Sequence, residues 1–113
     1  MTKEEFKTYI FNKINVSYVI NKPRSESKVL NVSPKGITYS IGENGYNKTV
    51  SLSELEQVYD ILVKVHFISY SIFRDNLKNE SKPCNLTTII GLLLQLKLII
   101  KIRKKQYQSN IFR

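Results

Sequence analysis

The chain has 113 residues, of which 42% are hydrophobic and 24% charged, so it is long enough to bury a core as a single domain, 1–113, and too apolar to be a disordered tail. Its only cysteine, Cys84, excludes an intrachain disulfide and fits a reducing, cytoplasmic setting; its only histidine, His66, leaves too few ligands for a zinc site. The net charge of +9 makes a polyanion the natural partner, because clustered cations gain binding free energy by releasing counterions from phosphates.

That charge is uneven. Residues 1–42 carry +4, residues 43–80 carry −2, and residues 81–113 carry +7 with no acidic residue after Glu80. Lys outnumbers Arg fourteen to four, a bias expected of an AT-rich genome such as that of a low-GC bacterium or its phages. Met1-Thr2-Lys3-Glu4-Glu5 carries acids and no apolar stretch, so no signal peptide is expected. The apolar run Ile89 to Ile102 is interrupted by Gln95, Lys97 and Lys101 and is shorter than the ~20 residues of a membrane span, so no membrane is expected either.

The chain opens on a predicted helix from Thr2 to Ile14. Thr2 and Glu5 have capping-box spacing, and Phe6, Tyr9, Ile10 and Ile14 share one face, with Lys3, Lys7 and Lys13 off that stripe in solvent. Val16, Tyr18 and Ile20 alternate and predict a strand over Val16–Ile20. Asn21 to Ser27 reads as a polar loop, mildly basic through Lys22, Arg24 and Lys28. Strands are then predicted over Lys28–Val32 and Ile37–Ile41, joined by a type I turn at Ser33-Pro34-Lys35-Gly36. Asn44-Gly45 signals a second hairpin, with Lys48–Leu52 returning and Val50 and Leu52 inward.

Ser53 and Glu56 predict a second capping box. The helix it opens has Leu55, Val58, Tyr59, Leu62 and Val65 on its core stripe, and Glu54, Glu56, Asp60 and Lys64 on an acidic outer face. Phe67–Leu77 fits neither period fully; a short helix from Ser69 or Ser71 with Ile72, Phe73 and Leu77 inward is preferred, and a strand is the alternative. After a polar loop, Lys78–Pro83, a third main helix begins with Asn85 or Thr87 as cap and ends near Leu96. Leu86, Ile89, Ile90, Leu93 and Leu96 form its broad apolar face; Thr88, Gly91 and Gln95 form the narrow strip expected to meet solvent. Leu98–Arg103 then predicts a strand, Lys104-Lys105 a turn, and Gln106–Phe112 the returning strand.

The expected fold class is therefore α+β: an N-terminal helix, a small antiparallel sheet of 3–4 strands, a helical segment and a C-terminal basic β-hairpin. No catalytic residue, metal site or cofactor is assigned. His66 and Cys84 are the only pair open to nucleophilic chemistry, His66 reads as a helix-end residue, and Asp60 and Asp75 read as isolated surface acids.

The order helix, short helix, apolar helix, basic hairpin over Ser53–Arg113 resembles a winged helix-turn-helix. In that family the last helix enters the major groove and the hairpin wing touches phosphates. The resemblance implies Thr87–Leu96 as the recognition helix and Ile99–Phe112 as the wing. Thr88 and Gln95 would be the groove-reading residues; the helix offers no Arg or Asn for bidentate base contact, so phosphate contact is the stronger expectation. Lys101, Arg103, Lys104 and Lys105 would neutralise phosphate, with Lys97 and Arg113 at the rim; for Tyr107 beside them packing is preferred, and stacking on a base is the alternative.

The expected function is thus non-enzymatic binding of nucleic acid, DNA ahead of RNA. The alternative is a phage-type inhibitor that puts the same cations into the nucleic-acid or guide-RNA site of a nuclease complex, as an anti-CRISPR or anti-restriction protein would. A third reading docks the basic tail onto an acidic protein, or onto the acidic helix Ser53–Val65 of a second copy.

Overall fold

The structure is a computed structural model that describes residues 1–22, 25–41, 46–77 and 85–111. It is α+β, with four helices and two antiparallel sheets among the described residues. The loop tip at Arg24, the Asn44-Gly45 turn, the loop Lys78–Pro83, Cys84, Phe112 and Arg113 lie outside the described residues.

Helix α1, Lys3–Lys13, starts at the expected cap: the Thr2 side chain accepts from the Glu5 N–H at 3.1 Å, and the Glu5 carboxylate accepts from the Thr2 N–H at 2.9 Å. Phe6 and Ile10 are buried on its inner face, followed by Ile14 just past its end. Burying each such side chain contributes ~1.5–3 kcal/mol, more than the ~1 kcal/mol of a good cap, so packing holds the helix and the cap sets where it begins.

Four strands form an antiparallel meander in the order β1-β2-β3-β4: β1 Val19–Asn21, β2 Glu26–Ser33, β3 Gly36–Ile41 and β4 Tyr46–Ser51. The first strand is shorter and later than the alternation of Val16, Tyr18 and Ile20 suggests. Ser17 adopts φ 79°, which ends extended structure before it, and Val16 is left exposed while Ile20 is buried. Ile37, Tyr39 and Val50 face the core as expected. Gly36 has φ +150°, and a Cβ there would lie 2.2 Å from the Val50 carbonyl oxygen, so only glycine fits where β3 leaves its turn.

Helix α2, Leu52–Lys64, follows β4 with no linker. Its capping box is Ser51 with Glu54, not Ser53 with Glu56. The two boxes overlap in Ser-Leu-Ser-Glu-Leu-Glu, and starting at Ser51 makes Leu52 the first helical residue rather than an inward strand residue. The choice also moves Glu54 from the expected outer face to a fully buried position, with 0% exposure.

Both readings of Phe67–Leu77 are realised in succession. Phe67–Ser69 is a strand, β5, and Tyr70–Asn76 is a short helix, α3, capped by the Ser69 side chain on the Ile72 N–H at 3.2 Å. Helix α4, Leu86–Gln95, leads into the hairpin of β6, Ile99–Arg103, and β7, Gln106–Ser109, with Lys104 and Lys105 at the turn. Strand β5 pairs with β7, so the second sheet runs β5-β7-β6.

The two halves share one buried cluster, from Phe6 and Ile10 through Val29, Ile37 and Tyr39 to Phe73, Ile89, Leu93 and Tyr107. A polar junction joins them. Asn85 holds the N-cap position of α4, yet its side chain makes no capping bond. It accepts from the Tyr39 hydroxyl at 2.5 Å and donates to the Thr49 carbonyl at 2.9 Å and to both Glu54 carboxylate oxygens at 3.1 and 3.3 Å. Strands β3 and β4, α2 and α4 therefore meet on one amide. Among the described residues, no helix is long and apolar enough to cross a membrane.

Candidate nucleic-acid interface

The hairpin is built by a short register. Ile99 pairs with Ser109, Ile100 with Gln108, Lys101 with Tyr107, and Arg103 with Gln106. The shift between Lys101 and Arg103 is a bulge, which sets Ile102 and Arg103 together opposite Gln106. Tyr107 points inward and is buried, and burial raises its phenol pKa above the ordinary value. Tyr107 thus packs, as expected.

Lys101, Arg103, Lys104 and Lys105 are all exposed. Lys105 adopts φ 58°, a left-handed conformation that costs a side-chain-bearing residue ~1–2 kcal/mol. The tip is anchored at its base: the Tyr70 N–H donates to the Lys105 carbonyl at 2.9 Å, and the Lys105 ammonium lies 5.5 Å from the Tyr70 ring centroid. Lys97, also at positive φ, is at the opposite end of β6, roughly 20 Å from the tip by strand rise, and its carbonyl accepts from the Asn110 amide at 2.8 Å. It borders the surface rather than joining the cluster.

Charge pairing separates these cations from Lys3 and Lys7 of α1. Lys3 meets Asp60 at 3.0 Å, and Lys7 meets Glu4 at 2.8 Å and Glu56 at 3.2 Å, which raises the Lys7 pKa. Glu56 and Asp60, two of the α2 acids expected to face solvent, are thus engaged by α1 within the chain. Among the described residues, none of Lys97, Lys101, Arg103, Lys104 and Lys105 has an acidic partner at ion-pair distance.

The expected groove-reading strip of α4 is covered. Thr88 is only 4% exposed and accepts from the Lys22 ammonium at 3.3 Å. Burial, then the charge of Lys48, lowers the Lys22 pKa. Gln95 donates to the Val19 carbonyl at 3.0 Å and to the Tyr18 hydroxyl at 3.2 Å, and it accepts from the Asn21 N–H. Gly91 is buried against Ile20 and Asn21. Strand β1 occupies the ground that a groove would need, so Thr88 and Gln95 act as glue between α4 and the first sheet. Thr87 stays exposed.

Sequence reasoning missed Phe67, which lay in an ambiguous run. It is 63% exposed, and its ring meets the His66 ring edge-on at 4.8 Å. An open cleft of about 390 Å³ is lined by Phe67, Ser69, Ile72, Ile102, Arg103 and Gln106, among others. His66 is exposed two residues beyond α2, with a ring nitrogen 3.4 Å from the Gln108 amide nitrogen. Its pairing with Cys84 lies outside the described residues. Among the described residues, no three His, Cys, Asp or Glu side chains gather as metal ligands. Compared with known proteins, the chain matches no family model, no curated protein and no solved structure.

Proposed function

We propose that this chain is a non-enzymatic, cytoplasmic nucleic-acid-binding protein that holds the phosphate backbone with its C-terminal hairpin. One observation carries the reading: Lys101, Arg103, Lys104 and Lys105 project from an exposed hairpin with no acidic partner among the described residues, while Lys3 and Lys7 are paired. Unpaired cations retain their full attraction for phosphate and release counterions on contact. Lys97 borders the surface, and Arg113 belongs to the same basic tail by sequence.

The order α2, α3, α4, hairpin supports a winged-helix-like arrangement for residues 52–109, with the hairpin as the wing. The reading gives α4 no base contact, because β1 engages Gln95 and Lys22, just past β1, engages the buried Thr88. Binding is therefore led by backbone contacts, with little preference for sequence.

A second reading uses the same cations. A phage-type inhibitor would set this hairpin in the nucleic-acid or guide-RNA site of a nuclease complex, and the covered α4 favours it, since such a protein needs no base-reading helix. Fluorescence anisotropy with labelled duplex DNA, single-stranded DNA and structured RNA, at low and near-physiological salt, separates the two. Binding to a free nucleic acid that is lost in Lys104→Glu/Lys105→Glu supports the first. No binding at low salt, with co-purification of a nuclease, supports the second and ends the first.

A further inference from the structure

We infer that the outer face of the three-stranded sheet binds unpaired bases of a single-stranded nucleic acid, with Phe67 as the stacking platform. The inference rests on the hairpin reading above and names the form of nucleic acid that the hairpin holds.

The sheet register puts two rows on that face. Phe67, Gln108 and Ile100 form one, and Ser69, Gln106 and Arg103 form the next. Ile102 joins the second row through the bulge. Phe67 at 63% exposure on β5, and Ile100 and Ile102 at 45% each on β6, give this face a bare aromatic ring at one edge and apolar side chains at the other, with Gln106 and Gln108 of β7 between them. Pairing to β7 sets the backbone position of Phe67, and the His66 ring packs edge-on against its ring, leaving a ring face open to a base. Gln106, Gln108 and the Arg103 guanidinium supply planar donors and acceptors for base edges.

Charge decides the occupant. The apolar face is continuous with Arg103, Lys104 and Lys105, which have no acidic partner among the described residues. A sugar-phosphate backbone running along the hairpin would bring bases over Phe67, the combination of cationic track and aromatic platform that single strands use. Size points the same way. A face three strands wide and about four residues long spans roughly 10 by 14 Å, far below the ~800 Å² per partner of a stable protein interface. A duplex hides its π-faces, so it would meet the hairpin cations through its phosphates but leave Phe67 without a stacking partner.

The test is anisotropy with labelled oligo-dU, oligo-U and a duplex, using wild type, Phe67→Ala, Phe67→Trp and Lys104→Glu/Lys105→Glu. Phe67 is mostly exposed, so Phe67→Ala should fold, and circular dichroism checks this. The expected result is ~5- to 100-fold weaker binding of the single strands by Phe67→Ala, retention in Phe67→Trp, and no change for duplex. Oligo-dU compared with oligo-U, which differ only in the 2′-hydroxyl, identifies the sugar. If Phe67→Ala binds single strands as wild type does while charge reversal still weakens them, the base platform is wrong and the phosphate reading stands. If wild type binds no probe at low salt, both readings fail. If sedimentation finds a dimer that Phe67→Ala dissolves, with single-strand binding unchanged, the face is a protein contact and the inference is overturned.

Discussion

Gly91 of α4 faces the backbone of Asn21 so closely that a Cβ at position 91 would come within 2.9 Å of the Asn21 carbonyl oxygen. Gly→Ala in an exposed helix usually stabilises by up to ~1 kcal/mol. Here the new methyl group must push against a strand backbone, which costs ~1–3 kcal/mol. Gly91→Ala is therefore expected to lower stability by about 1–2 kcal/mol in urea unfolding. A more stable variant would mean that β1 does not seat on α4.

Asn85 gathers Tyr39, Thr49 and Glu54 on one side chain. Asn85→Ala removes a buried partner from the Glu54 carboxylate, and such a loss costs ~2–4 kcal/mol. Tyr39→Phe removes one hydrogen bond and should cost about 1–2 kcal/mol. The two losses should be less than additive in a double-mutant cycle, because both act on one amide.

Lys105 adopts a left-handed backbone that Gly takes without cost. Lys105→Gly should leave stability unchanged or raise it by ~0.5–1 kcal/mol while weakening nucleic-acid binding. Thermal unfolding and anisotropy on the same preparation would reveal that trade. Gain of stability with binding intact would remove Lys105 from the interface.

The Glu5 carboxyl is held below its ordinary pKa of 4.5, first by the Thr2 backbone N–H and then by the Thr2 side chain. A depressed carboxylate contributes stability that is complete above 4.5 and is lost as pH falls through the folded value. Glu5→Gln keeps capping-box geometry but does not titrate. The difference in melting temperature between wild type and Glu5→Gln should be constant above pH 4.5 and change only below it. A difference that stays flat into strong acid would contradict the cap.

Local chemistry was legible in the sequence. The alternation of Ile37, Tyr39 and Ile41, the Thr2–Glu5 cap and the Lys104-Lys105 turn all depend on neighbours within a few residues. Long-range packing was not. Thr88, Gly91 and Gln95 read as a solvent strip because they are small or polar, yet the same properties suit a helix face that receives another backbone edge-on: Gly91 allows the approach and Gln95 satisfies the strand. Glu54 was hidden by two overlapping Ser-x-x-Glu boxes, and its partner is 31 residues away. Phe67 was hidden because an exposed aromatic in a short strand has no period to announce it. The cations of the candidate site were visible as residues, but that Lys97, Lys101, Arg103, Lys104 and Lys105 have no acidic partner among the described residues emerged only from the fold.

The most direct measurement is the salt dependence of binding for the preferred oligonucleotide, comparing wild type with Lys101→Gln/Arg103→Gln/Lys104→Gln/Lys105→Gln. Each neutralised phosphate contributes about 0.7–0.9 to the log–log slope. Hairpin contact requires that the fourfold variant bind more weakly and lose roughly 3 from the slope. An unchanged slope would mean that the phosphates lie elsewhere, and the hairpin would no longer be the binding surface.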